Sequence, residues 1–181
     1  HAPADHMPPV DMHPNDDAIM FYTSGSTGHP KGAISSHRNI LSALLSWELD
    51  GHAAVLTGLV SAPVPGGPQP ATLLAIPLFH VTGLHAVFLS SYRTQRRLVS
   101  MYKWDTDLAA EWIERERITS FVAPAAMTGD LVEAARRSGR DLSSLQSIGG
   151  GGAARAPEQV RAIDRVFANA KPNTGWGMTE T

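Results

Sequence analysis

Apolar and polar positions alternate in two rhythms along the 181 residues. Short apolar or β-branched runs, bounded by Gly, Pro or polar clusters, read as strands over Ala18 to Thr23, Lys31 to Ser36, Ala71 to Pro77, Arg97 to Met101, Ile118 to Ala123, Leu145 to Ile148 and Asn173 to Trp176. Longer segments between them read as helices over His37 to Leu49, Gly83 to Tyr92, Thr106 to Glu116, Ala125 to Ser138 and Pro157 to Ala168. Ser36 or Asn39 is the capping candidate for the first helix, whose apolar residues are Ile40, Leu41, Leu44, Leu45 and Trp47. Thr106 is read as the cap of the third. Gly139 is a natural stop for the fourth, and Pro157 suits the first turn of the fifth. Pro63, Pro65, Pro68 and Pro70 around Gly66 and Gly67 make Thr57 to Pro70 a loop. Strands alternating with helices imply βαβ units, hence an α/β fold around a mostly parallel sheet. No internal repeat is visible.

Composition narrows this picture without changing it. An apolar fraction of 43% suffices for a packed core. A net charge of -2 gives no sign of a nucleic-acid or membrane-surface partner. The absence of cysteine excludes disulfides and thiolate metal sites and leaves the compartment open. No apolar run reaches transmembrane length and no basic-then-apolar leader opens the chain, so a cytoplasmic protein is the default expectation. Residues 1–16, rich in Pro, His, Asp and Met, are expected to be a disordered lead-in. The spacing of His1, His6 and His13 fits no metal site. The chain opens at His1 and stops in the patterned stretch "NTGWGMTET", from which a piece of a larger protein is expected.

The densest candidate chemistry is "YTSGSTGHPKG", Tyr22 to Gly32. Glycines let backbone N–H groups turn toward one centre, and such a nest binds anions. Thr23, Ser24, Ser26 and Thr27 add hydroxyl donors around Gly25 and Gly28, and Lys31 adds a full positive charge. Polyphosphate is the ligand that uses all of these groups. The familiar phosphate loop of kinases and GTPases needs GxxxxGK[ST] ahead of a helix. Here Lys31 precedes Gly32 and a β-like segment, which disfavours that class. A flexible Gly/Ser hairpin is the plain alternative.

"YTSGSTGHPKG" resembles the phosphate-binding signature of the adenylate-forming enzymes: acyl- and aryl-CoA synthetases, luciferases and peptide-synthetase adenylation domains. Three further segments agree in order. "IPLFHVTGL", Ile76 to Leu84, is similar to the family's motif near the carboxylate substrate. "IGGGGAARAPE", Ile148 to Glu158, is similar to its adenine-side loop. "NTGWGMTET", Asn173 to Thr181, is similar to its aromatic-Gly-x-Thr-Glu motif. Trp176, where many members carry Tyr, and "IPLFHVTGL" both lean toward the fatty-acyl-CoA synthetases. The resemblance implies that residues 17–181 are the central part of an AMP-binding N-terminal domain, truncated at both ends. It also implies that the parent joins a carboxylic acid, expected to be a fatty acid, to ATP as acyl-AMP with release of pyrophosphate, then passes the acyl group to coenzyme A.

The resemblance also assigns roles. Thr23, Ser24, Gly25, Ser26, Thr27, Gly28 and Lys31 would hold the β- and γ-phosphates; Gly151, Gly152 and Ala153 would lie against adenine. Trp176 and Gly177 would line the nucleotide or acyl wall, Thr179 would touch the α-phosphate and Glu180 would hold Mg²⁺. Lys31, Thr179 and Glu180 form the expected catalytic set, and His80, Val81 and Gly83 the acid pocket. Other readings stay open at each place. Trp176 could be a core aromatic, His80 a satisfied structural residue, and the Gly149 to Gly152 run matches in either of two registers. His85 is assigned to packing. "MTGD", Met127 to Asp130, imitates the family's ribose-binding Thr-Gly-Asp but lies ahead of "GWGMTE" in an expected helix, and is set aside. The true ribose Asp, the hinge and the C-terminal catalytic lysine are not found in these residues, so the fragment alone is expected to be inactive and open to self-association. An adenylation domain that loads a carrier protein, or a non-catalytic nucleotide-binding module, are the other functions that fit.

Overall fold

The structure is a computed structural model that describes residues 8–25, 28–60, 62 and 66–180. Two strands, β1 (Asp17–Thr23) and β2 (Lys31–Ser36), form an antiparallel hairpin. Helix α1 (His37–Leu56) follows directly. A five-stranded parallel sheet comes next: β3 (Ala71–Leu74), β4 (Arg97–Ser100), β5 (Ser120–Ala123), β6 (Ser147–Gly150) and β7 (Lys171–Thr174), in the order β4-β3-β5-β6-β7. A π-helical stretch, Thr82–Leu89, running into the short α2 (Ser90–Arg93), joins β3 to β4. Helices α3 (Thr106–Arg115), α4 (Ala125–Ser138) and α5 (Pro157–Val166) make the other crossovers. This is the expected α/β fold.

Direction of travel decides the layers. The chain steps from β3 to one side for β4, then crosses back to β5, β6 and β7 on the other. Right-handed crossovers in opposite directions put their helices on opposite faces. So α3, α4 and α5 pack side by side on one face, while α1 and the hairpin lie with the π-helical stretch on the other. Leu73, Phe121 and Ile148 fill the sheet, with Ile113 and Leu131 closing the helical side; all five are fully buried. Trp104 stacks on Phe121 at 5.5 Å and anchors its indole N–H on Asp130, 3.0 Å away. Asp130, the last residue of "MTGD", thus lies on α4.

The boundaries move for local reasons. Helix α1 continues past Leu49 through Ala53 and Ala54, good helix formers, until the Thr57 N–H and Oγ1 bond to Ala53 O. Ser36 and Asn39 cap it together: Ser36 Oγ accepts from Asn39 N, and Asn39 Oδ1 accepts from Ser36 N. Of its expected apolar residues Ile40 and Leu44 are buried, whereas Leu41, Leu45 and Trp47 are exposed. Asp105, not Thr106, caps α3; its extended backbone lets the carboxylate accept from Leu108 N at 2.9 Å. Strand β3 ends at Leu74 because its partner β4 ends at Ser100. Strand β6 begins two residues later than the pattern implies, since Leu145 is buried in a turn and pairing with β5 starts at Ser147. β7 runs in register with it from Lys171, so Trp176 lies beyond the strand. The described residues of Thr57 to Pro70 form neither strand nor helix after the α1 cap. Within the expected lead-in, His13–Asp16 form a turn that bonds to the start of α1 through Arg38 N to Pro14 O, 2.7 Å. His1 and His6 lie outside the described residues.

Candidate nucleotide and acid site

Three of the four motif segments leave the carboxyl ends of parallel strands. Ile76 to Leu84 follows β3, Gly151 to Ala153 follows β6, and Gly175 to Glu180 follows β7. In open α/β sheets this edge carries the ligand, at the point where neighbouring connections part to opposite sides. Here that point lies between β3, whose connection turns toward β4, and β5, whose connection turns toward β6. The adenine-side and Thr-Glu segments are neighbours across the β6–β7 pair, and Gly175 N donates to Gly150 O at 2.8 Å just beyond it.

The fourth segment is the hairpin loop. Thr23 and Lys31 stand opposite each other at its base, so their side chains share one face. Phe21, two residues back on the same face, is buried edge-on against His85 of the π-helical stretch, ring centroids 5.5 Å apart. That contact fastens the hairpin to the element that follows His80. A strand, not a helix, follows Lys31, so the loop is unlike the phosphate loop of kinases and GTPases. Gly25 has φ +67°, and a methyl group there would meet the His29 carbonyl carbon at 3.3 Å and its oxygen more closely still. Ser24, Gly28 and Lys31 are exposed, Thr23 and Gly25 half-buried. Ser26 and Thr27 lie outside the described residues.

After β3 the chain turns at Pro77, where His80 N donates to Pro77 O, and the helix starts as Leu84 N donates to His80 O. His80 is exposed with Phe79 tilted over it at 4.7 Å. Val81 is half-buried. Gly83 is buried against the backbone of Ile76 and Pro77. A wide helical turn of this kind recurs at functional sites. His85, placed in the core by it, has an Nε2 with no partner, and burial lowers its pKa from the ordinary value, so the ring is neutral.

Trp176 is 83% exposed and is not a core aromatic here. Gly177 and Glu180 are exposed and Thr179 half-buried. Among the described residues, no ion pair involves Glu180, and no group of three or more His, Asp or Glu could hold a metal. A lone open carboxylate fits Mg²⁺, which keeps waters and takes its remaining oxygens from phosphates. No hydrogen bond or ion pair among the described residues links Lys31 to Thr179 or Glu180.

One residue at this edge escaped the sequence reading. Arg155, just after Gly-Gly-Ala-Ala, lays its guanidinium against Gly150 and donates from Nη1 to Ile148 O and Asn173 O, each at 3.4 Å. Its Nη2 reaches Thr128 Oγ1 of α4 at 3.5 Å. The only advance signal was a lone arginine in a run of small residues.

A parallel α/β sheet with glycine- and hydroxyl-rich segments at its carboxyl edge is the arrangement at which open α/β proteins bind their ligands. The sequence model described as AMP-binding enzyme matches residues 1–181, and the chain belongs to that family, the adenylate-forming enzymes. It is 38% identical over 169 residues to 4-coumarate–CoA ligase-like 5 of Oryza sativa, covering 92% of this chain and 30% of that protein. It is 31% identical over 176 residues to 4-coumarate-CoA ligase 1 of Narcissus pseudonarcissus, covering 96% and 30%. Among solved structures, the N-terminal domain of FACL13 from Mycobacterium tuberculosis superposes with a TM-score of 0.79 at 25% identity, over 99% of this chain and 41% of that one. ATP-bound MatB from Rhodopseudomonas palustris shares the fold, with a TM-score of 0.78 at 22% identity over 99% and 33%. The chain spans about 30% of the length of the curated relatives it matches. Among the described residues, no helix is long and apolar enough to cross a membrane.

Proposed function

We propose that these residues are the central, nucleotide-binding part of the N-terminal domain of an acid–CoA ligase. The ligase converts a carboxylic acid and ATP to acyl-AMP and pyrophosphate, then transfers the acyl group to coenzyme A. The observation that carries this reading is the shared edge: His80, Gly151 to Ala153 and Thr179–Glu180 all follow carboxyl ends of one parallel sheet. The hairpin that bears Thr23 and Lys31 is fastened to the same side through Phe21 and His85.

In this reading Thr23, Ser24, Gly25, Ser26, Thr27, Gly28 and Lys31 cradle the β- and γ-phosphates and meet the negative charge that develops on departing pyrophosphate. Gly151, Gly152 and Ala153 lie along adenine, Trp176 and Gly177 wall the site, Thr179 donates to the α-phosphate, and Glu180 holds Mg²⁺. The metal, when bound, offsets phosphate charge. His80, Val81 and Gly83 border the acid. Trp176 and the Ile76 to Leu84 segment favour a fatty acid; the names of the plant relatives favour a hydroxycinnamic acid as a second reading. The protein acts in the cytoplasm.

The test uses the full-length protein and acid-dependent ATP–pyrophosphate exchange, run with a panel of fatty and hydroxycinnamic acids. Wild type exchanges with one acid class and forms its CoA thioester. Lys31→Ala and Glu180→Ala each lose about 10²–10³-fold, the usual cost of removing one charge-stabilising group. Exchange unchanged in both variants overturns the assignment. Acyl transfer to a carrier protein but not to CoA would reassign the acceptor. The 181 residues alone neither form acyl-adenylate nor bind Mg-ATP tightly, and they self-associate through the exposed Leu41, Leu45 and Leu49 of α1. Calorimetry with light scattering checks this, and tight binding by a monomer refutes it.

A further inference from the structure

Arg155 sits half-buried at the carboxyl edge of the sheet, yet none of the roles above uses it. Its guanidinium touches three separate pieces of chain: Ile148 O on β6, Asn173 O on β7 and Thr128 Oγ1 on α4. The Nε–H is buried with no partner, and no ion pair among the described residues supplies a counter-charge. Burial lowers the guanidinium pKa accordingly. Keeping a cation this poorly compensated costs stability, so its placement calls for a reason.

The reason lies in what it spans. A methyl at Gly150 would stand 3.1 Å from Arg155 Nε, 2.7 Å from Cζ, and nearer still to Nη2. The bare backbone at Gly150 is thus what lets the planar group lie across the strand. From there Nη1 reaches both strands that launch the site segments, while Nη2 reaches α4. A lysine has no such fork.

We infer that Arg155 is a positioning residue, a strap that holds the Gly151–Ala153 segment and the Gly175–Glu180 segment at a set separation across β6 and β7. Its place in catalysis rests on the ligase reading above; its structural action does not. Without the strap, Gly175 N loosens from Gly150 O, and the groups proposed for adenine and the α-phosphate lose their mutual placement.

The test uses the full-length protein with Arg155→Ala, Arg155→Lys, Gly150→Ala and the Gly150→Ala/Arg155→Ala double variant. Arg155→Ala is expected to raise the KM for ATP in pyrophosphate exchange about ten-fold, in line with loss of hydrogen bonds from a charged donor, while kcat moves far less. Arg155→Lys recovers only part of this. The Gly175 amide exchanges with solvent faster in Arg155→Ala. Gly150→Ala lowers the melting temperature of the wild type, but most of that cost vanishes in the Arg155→Ala background, because the atoms the methyl meets are gone. Additive melting shifts together with an unchanged Gly175 exchange rate overturn the strap. Full rescue by Arg155→Lys, or a loss in kcat with KM constant, overturns its positioning role. A wild-type protein with no acid-dependent exchange would defeat the ligase reading instead, and the amide and melting measurements would still decide the strap.

Discussion

Gly83 offers a direct check on whether the turn after β3 positions chemistry. A methyl group there would sit 2.9 Å from both the Ile76 carbonyl oxygen and the Pro77 carbonyl carbon, and nearer still to Pro77 O. Carbon–oxygen contacts settle at about 3.3–3.6 Å. All three obstacles are backbone, so no rotamer change relieves them. The π-helical stretch must back away from the Pro77–His80 turn by about 1 Å or slightly more to restore ordinary contact with the nearest oxygen. Overpacking of this kind costs about 1–3 kcal/mol, which lowers Tm by only a few °C in a large protein, because the shift per kcal/mol shrinks as the unfolding entropy grows with size. A displacement near 1 Å of a group that positions substrate costs up to about 10²-fold in rate. The expected outcome for Gly83→Ala in the full-length protein is a modest Tm loss with a much larger loss of acid-dependent pyrophosphate exchange. Gly51→Ala is the control: it lies in α1 with nothing within 4 Å of the added methyl, and should hold activity and raise stability by about 0.5–1 kcal/mol. Gly83→Ala with wild-type kcat and KM for the acid would refute the claim that this turn sets the acid site.

Three further outcomes are expected. Ser36→Ala removes one half of the capping box of α1 and should cost about 1 kcal/mol, read by chemical denaturation; no change would mean that Asn39 suffices alone. Asp141, held at about 2 by the Ser143 hydroxyl and backbone N–H and by Arg117, is depressed from 3.8. Its folded-state pKa lies below the unfolded one, so its contribution is present above about pH 4 and is lost as pH falls through about 2; Asp141→Asn should be less stable than wild type at pH 6, with the gap closing toward pH 2, and a constant gap would contradict the assignment. Phe21→Ala should loosen the hairpin from His85 and weaken ATP use more than acid use, measured as separate KM values; equal changes in both would break the link drawn between the hairpin and the phosphate loop.

The strands and helices were readable because their signals are local. A short segment such as Lys31–Ser36, set between a Gly/Pro-rich loop and a helix cap, or an apolar run such as Ala71–Leu74 carries its state in neighbouring residues, and so do the Ser36–Asn39 cap and the Gly139 stop. The hairpin loop was legible in the same way, since its glycines, hydroxyls and Lys31 suffice to suggest a polyphosphate, whereas the other three motif segments were singled out by their resemblance to the family's strings. Other features depended on partners distant in the chain. Where β3, β6 and β7 end is decided by the strand beside each, which is why the pattern misplaced their limits by two or three residues. Which side of α1 is buried followed from the elements it packs against: of its apolar residues Ile40 and Leu44 are buried while Leu41 and Leu45 emerged exposed. Arg155 looked like a stray charge until β6, β7 and α4 converged on it, because hydrogen bonds across 18 and 27 residues of sequence have no local signature. The common edge of the site has the same origin: right-handed crossovers and strand order bring together segments that lie far apart along the chain, and no periodicity within any one of them records that meeting.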